Sequence, residues 1–586
     1  MKYINKIGMM MLAATMLTVA SCSDFNDYNE TPTDALPAGN QTLWQNISQN
    51  QELTDFAALV EKSGFNTELD KSRSYTIWAP KNGSFNRSAF DQLSKEDLLQ
   101  QFVKNHIAEY GHVASGLLNK RIHTLNEKSY IFEGSGKYTF DGIAISQPNM
   151  PSSNGIIHLM DRYAPFYYNL YEYLKVAPDI DSLRNHLMRY EQTYLDESAS
   201  VKGPMVDGMQ TYIDSVMITT NLMLFYSLGG RVANEDSSYT FIMPTSEAFM
   251  KMYDKVNSYY NFADETTVLD VANFTSATDT KSVPVKVDAA YLRDSLTRLT
   301  IVSNLIYSNN DGYNQWIVGK GQQTDSIRST LRNKFSNPNE LLSDYLVGEP
   351  VTLSNGYARI VDSLAFKPWE LYCPEIVVNP RNWLANLFPA SAVANKNQSV
   401  PDSLVKKVFG PDCDETNFRY MWITPGGDRA KPDFAIELPN VRSATYNFYV
   451  VFMPSAWKQF GNDPRPNWLN FELNYANAKG ATAKYYFSKA YADSLLTGGT
   501  LPKLPTSVGT ATAFTNNPEK ADTVFIGQFT FPVAYQGLGD YYPSIRVTSP
   551  ISVFNKTHLE TYSRDVRIAA ILMRPVELDE FEAKQK

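Results

Sequence analysis

Apolar residues first recur with a helical period, Leu53, Phe56, Ala57, Leu59 and Val60 falling on one side of a helix. A β-rich run at 75–78 follows, then Phe- and Leu-rich helical sequence and a hairpin region at 130–145. Asn154-Gly155 predicts a turn, because both residues tolerate left-handed backbone angles. In the strand after it, Ile157 and Leu159 alternate with His158 and Met160. This order predicts helices packed on a small curved sheet, an α+β fold. Beyond about residue 374 the period shortens to two. Strands are predicted at 434–438, 445–453, 469–475, 481–487, 523–531, 544–548 and 567–573, separated by Pro, Gly and Asn clusters. Within 445–453, Tyr446, Phe448, Val450 and Phe452 take one face and Asn447, Tyr449 and Val451 the other. An all-β sandwich is the expected form, beginning after a transition segment at 379–410.

The α+β pattern occurs twice. The run Ser74-Tyr75-Thr76-Ile77-Trp78-Ala79-Pro80, with Phe85 five places on, aligns with Ser238-Tyr239-Thr240-Phe241-Ile242-Met243-Pro244 and Phe249. Val103-Lys104-Asn105-His106-Ile107 aligns with Val302-Ser303-Asn304-Leu305-Ile306, and Thr124-Leu125-Asn126 with Thr330-Leu331-Arg332. Ser153-Asn154-Gly155 and the strand behind it recur as Ser354-Asn355-Gly356. These segments resemble the two hallmark motifs and linking helix of the fasciclin domain, with Pro80, Phe85, Asn154, Gly155 and His158 at the motif positions. The resemblance implies two α+β fasciclin-like domains, 41–165 and 166–374, before an all-β sandwich at 375–586. The second copy departs from the pattern, with Arg359 in place of His158, Leu305 in place of His106, and insertions at 179–210 and 309–323. Fasciclin domains are mostly extracellular adhesion or protein-interaction modules and not enzymes. His158 matches a region linked to adhesion in animal members; it also reads as a partly buried histidine that helps hold the strand against a neighbouring helix.

The N-terminus changes where such domains would work. Lys2 and Lys6 precede a mostly apolar stretch at 7–20, 14 residues long, whereas a membrane span needs about 20. Val19-Ala20-Ser21-Cys22 resembles the lipobox of bacterial lipoproteins, which implies cleavage after residue 21 and acylation of Cys22. Ser23, Asp24 and Asp27 resemble the export signal that carries lipoproteins of Bacteroidetes to the outer face of the outer membrane. Residues 22–40 read as an acylated tether.

Composition narrows the chemistry. The chain of 586 residues carries 53 Lys and Arg against 62 Asp and Glu, a net charge of -9, with no strongly basic block, so a general nucleic-acid binder is not expected. Its 6 histidines include no His-x-x-x-His or His-Glu-x-x-His spacing, and neither a nucleophile elbow nor a phosphate loop occurs. Neither a metal, a cofactor nor catalysis is therefore expected. Cys373 and Cys413 could close one disulfide. Trp383, Trp422, Trp457 and Trp468 are available to stack on sugar rings, and each equally reads as core packing. Together these features predict a non-catalytic, lipid-anchored surface protein. It would serve an outer-membrane uptake system for glycans or peptides, with protein partners such as a Sus-type importer. An adhesin contacting host matrix is the alternative, and a secreted hydrolase a distant third.

Overall fold

The computed structural model describes residues 39–585, apart from 264, 273–281, 380–385, 388–392, 412, 414 and 536–542. The segment holding Cys22, Ser23, Asp24 and Asp27 lies outside the described residues, as does Trp383. Two compact units divide the chain. One runs to Glu172 and takes in Ala233–Ser237 and Thr352–Asn355; the other holds the remainder.

The first unit opens with helix α1 (Leu43–Gln49), which Thr42 and Gln45 start with a reciprocal capping box. Helix α2 (Thr54–Ser63) buries the stripe expected from its apolar period and ends at Gly64. Seven strands follow: β1 (Tyr75–Pro80), β2 (Ile107–Glu109), β3 (Leu117–His123), β4 (Ser129–Ser135), β5 (Lys137–Phe140), β6 (Ile143–Ser152) and β7 (Gly155–Met160). They form one sheet in the order β2-β1-β7-β6-β5-β4-β3. Strands β1 and β7 run parallel at its middle, with Tyr75 opposite Gly155 and Trp78 opposite His158. Both faces of this pair are buried. Ile77, Ala79, Ile157 and Leu159 meet α1 and α2. Trp78 and Met160 point the other way, into a second core with Phe132, Tyr138 and Phe140.

The Asn-Gly pair works differently from the expected turn. Asn154 does not adopt a left-handed angle. Its buried side chain accepts from the Leu43 N–H (2.7 Å) and donates to the Leu69 carbonyl (2.9 Å), tying the start of α1 to the sheet. Gly155 is required by close approach, since a Cβ there would sit 2.0 Å from the Tyr75 carbonyl oxygen. Gly155→Ala should part β1 from β7 and cost about 3–5 kcal/mol, read from the urea midpoint of the first unit. A loss below about 1 kcal/mol would show that the strands can shift to admit a methyl group.

The second unit repeats the motif. Strand Tyr239–Pro244 runs parallel to Gly356–Val361 in the same register, Tyr239 opposite Gly356, with Ile306–Ser308 on its other side. A Cβ at Gly356 would lie 1.9 Å from the Tyr239 carbonyl oxygen. One alignment shifts by a residue. The Leu125 N–H donates to Ile107 and the Thr330 N–H to Ile306, so Thr124 corresponds to Ser329 and not to Thr330.

Two antiparallel six-stranded sheets complete this unit. One holds Val393–Ser399, Arg419–Pro425, Val566–Pro575, Thr445–Phe452 and Asp522–Thr530 in that order, with Ile376–Val378 on Val566–Pro575. The other holds Asn386–Leu387, Asp433–Glu437, Ser544–Thr548, Trp468–Ala476 and Thr482–Tyr486, with Phe514–Thr515 on Trp468–Ala476. Tyr446, Phe448, Val450 and Phe452 are buried, and Phe448 meets Phe487 from the other sheet at 5.1 Å. The strand Val566–Pro575 is followed by one more element. Helix Val576–Gln585 follows, and its Asp579 accepts from Asn447 (2.6 Å) and the Tyr449 hydroxyl (2.9 Å). Contacts also cross the boundary expected at 374. The Tyr259 hydroxyl donates to Glu577 (3.3 Å), and the Asn261 amide donates to the Pro532 carbonyl (2.9 Å). Cys373 and Cys413 are free thiols and form no disulfide.

Candidate functional site

His158 has no exposed surface. Its Nδ1 accepts from the Asn149 N–H (3.1 Å), so Nε2 carries the proton and donates to the His112 carbonyl (2.9 Å). The ring stacks on Trp78 at 5.6 Å. Its partners therefore belong to β6 and the loop after β2 instead of the neighbouring helix that the sequence suggested. His106 is equally buried, in the opposite tautomer: Nδ1 donates to the Phe102 carbonyl (2.7 Å) and Nε2 accepts from the Ala164 N–H (2.9 Å). Burial pushes the pKa of His106, His112 and His158 down to about 4. In the second unit Arg359 stands opposite Ile242, as His158 stands opposite Trp78, and donates to the Leu342 carbonyl (2.8 Å). Pro80 ends β1 opposite Met160, and the Phe85 ring packs on Phe102 at 5.1 Å. The hallmark residues are thus brought together as core, with no face for a ligand at His158.

The tryptophans divide. Trp422 and Trp457 join one cluster beside helix Asp402–Phe409. The Arg567 guanidinium lies over the Trp422 ring at 4.3 Å and the Lys407 ammonium over Trp457 at 5.1 Å. Trp468 stacks on Tyr562 at 4.9 Å. All three are half-buried, and each has a ring face in contact with a neighbour of its own chain.

A surface that the sequence did not single out as a site lies in the first insertion of the second unit. Helix Asp181–Met188 is followed by two successive pairs of strands. Glu191–Leu195 pairs with Met217–Asn221, and beyond them Val201–Val206 pairs with Met209–Asp214. Asp207 (φ 51°) and Gly208 (φ 77°) are both left-handed, the requirement of a tight two-residue hairpin turn. The insertion thus runs to Asn221, past the expected end at 210. Each pair is a two-stranded sheet with no third strand. Twelve of the 26 large apolar side chains exposed among the described residues lie between Tyr190 and Tyr226, a concentration unlike the scattered apolar residues of an ordinary surface. Met209 and Ile213 are 71% and 76% exposed. The only legible signal was alternating apolar residues around Asp207-Gly208, which predicts a hairpin and not its exposure.

Among the described residues no group of three His, Cys, Asp or Glu could hold a metal, and no helix is long and apolar enough to cross a membrane. Residues 51–164 match the family model of the fasciclin domain. A FAS1 domain pair from the insect cell adhesion molecule fasciclin I is 12% identical, covering 56% of this chain and 99% of that one, with a TM-score of 0.20. The CBM22-1–GH10 modules of Clostridium thermocellum endo-1,4-β-D-xylanase 10B, complexed with xylohexaose, are 9% identical. They cover 34% of this chain and 27% of that one, with a TM-score of 0.19. Superpositions this loose carry nothing further about the present chain.

Proposed function

We propose that this chain, which carries a fasciclin domain at residues 51–164, is a non-catalytic docking protein held on the outer face of an outer membrane by a lipid on Cys22. Two fasciclin-like segments and a β-sandwich form its body. It acts as an accessory of a nutrient importer of the Sus type, binding glycan or peptide material for uptake.

The apolar ribbon at 190–226 carries the reading. Exposing so much apolar surface gives nothing to the isolated fold and opposes solubility, so its use lies in a complex. The ribbon segment 191–221 holds Glu191, Asp196, Glu197, Asp207 and Asp214 against Lys202 alone. Its partner should therefore offer an apolar socket rimmed by Lys or Arg.

Exposed side chains contribute little to folding, so replacing Met205, Met209 and Ile213 by Ser should leave thermal unfolding within about 1 °C. The same change should abolish copurification of the importer pair from detergent-solubilised membranes, quantified by mass spectrometry against the unaltered chain. If the importer pair stays bound to the triple variant, or never accompanies the unaltered chain, the reading fails. Binding to a host matrix protein instead would move the function to adhesion.

A further inference from the structure

We propose that a polar cavity in the second unit binds a carboxylated sugar residue, with Arg332 as its carboxylate anchor. The cavity is an open cleft of about 320 Å³, the small end of the range for ligand sites. Tyr239, Ser308, Asn310, Asp311, Ser329 and Arg332 line it. Asn310 and Asp311 belong to the second insertion, and the chain that carries Arg332 returns beside the strand Ile306–Ser308 through the Thr330 N–H, which donates to the Ile306 carbonyl (2.9 Å).

The charges select the ligand. Arg328 grips the Asp311 carboxylate with two hydrogen bonds, Nε to Oδ2 at 2.8 Å and Nη2 to Oδ1 at 2.9 Å, so this acid is already neutralised. The Arg332 side chain, exposed at the cavity, makes no hydrogen bond or ion pair among the described residues, leaving the cavity with one unspent positive charge. It sits at a left-handed position (φ 73°), its N–H donating to the Ser329 carbonyl at 2.9 Å. Glu127 holds the matching position of the first unit, also left-handed (φ 65°), with its N–H on the Thr124 carbonyl at 2.8 Å. The charge is reversed there, so the matching position of the first unit would repel an anion.

The neutral groups select the rest of the ligand. The Ser308 hydroxyl and Asn310 amide form no internal hydrogen bond, and the Tyr239 hydroxyl, which accepts from the Arg231 N–H at 3.3 Å, keeps its proton to donate. Donors and acceptors lining one small cleft suit a ring bearing several hydroxyls. A guanidinium fork suits a planar carboxylate better than a single hydroxyl. None of the lining residues is aliphatic, so a peptide terminus would place its side chain against polar atoms and is the poorer fit.

The test is titration calorimetry of the chain from residue 22 onward, with Cys22 replaced by Ser, against oligosaccharides of galacturonate, glucuronate and sialate. The methyl esters of the same sugars and triglycine serve as comparisons. At least one acidic oligosaccharide should bind. Its methyl ester should bind about tenfold more weakly, and Arg332→Ala should cost a similar factor with unfolding temperature unchanged. Ser308→Ala and Asn310→Ala should each weaken binding by a smaller factor. The proposal is overturned if no acidic oligosaccharide binds, if esters or triglycine bind as well, or if Arg332→Ala binds normally. It does not depend on the ribbon, and copurification of an importer would be untouched by its failure.

Discussion

Acidification from about pH 7 to pH 4.5 is expected to unfold the first unit, led by the buried His106 and His158 and the half-buried His112. Each has an ordinary value of 6.5 when unfolded and one of about 4 when folded. Between those values the unfolded chain binds protons that the folded chain refuses, so stability falls as pH falls. The loss starts near the ordinary value and is complete near the lowered one. At roughly 1.4 kcal/mol per histidine per pH unit, three histidines remove about 6 kcal/mol by pH 5. That is comparable to the whole stability of an ordinary domain. Hydrogen exchange across a pH series should show β1 and β7 losing protection together. His106→Leu, which adopts the residue of the second copy, should flatten the pH dependence by about a third. Protection that stays constant down to pH 4.5 would show that the rings titrate in place.

Lys128→Met should cost the first unit about 3–5 kcal/mol, the penalty for breaking a buried ion pair from one side. The Lys128 ammonium, 2% exposed, lies 2.6 Å from a Glu172 carboxylate oxygen and 2.8 Å from one of Glu235. Asn169 donates to both carboxylates, through its N–H to Glu172 and its amide to Glu235. Removing the cation leaves the Glu235 carboxylate, 10% exposed, with the Asn169 amide and no counter-charge. Adding Glu235→Gln to Lys128→Met should recover part of the loss, since the orphaned charge goes with it. Urea denaturation of the two variants checks both effects, and a loss under about 1 kcal/mol for Lys128→Met would mean that water reaches the site.

Strand placement was most legible where apolar residues alternate strictly along the chain. Tyr446, Phe448, Val450 and Phe452 alternate with half-buried neighbours, and Thr445–Phe452 lies within one residue of its expected bounds. The duplicated motif was equally legible, because the parallel pairs at Gly155 and Gly356 impose the same close approach twice. Strand Arg419–Pro425 escaped notice: Trp422 takes a basic partner where an alternating pattern expects a polar side chain. Helix Val576–Gln585 escaped because it is held by carboxylates and not by an apolar stripe; Arg574 pairs with Asp579 and Glu582 at 2.6 Å each. The ion-paired centre at Lys128 joins residues 44 and 107 positions apart, a distance at which no local pattern speaks. At the ribbon the pattern was visible and its meaning was not. An alternating hairpin looks alike whether a third strand covers it or water does.

A protein that docks at the cell surface must first be anchored there, and intact mass spectrometry of the native protein extracted from membranes reads this directly. The expected species begins at Cys22 and carries the added mass of three acyl chains. On whole cells the folded body should be open to added protease. A chain that keeps residues 1–21, or that begins at Cys22 without lipid, would contradict the account.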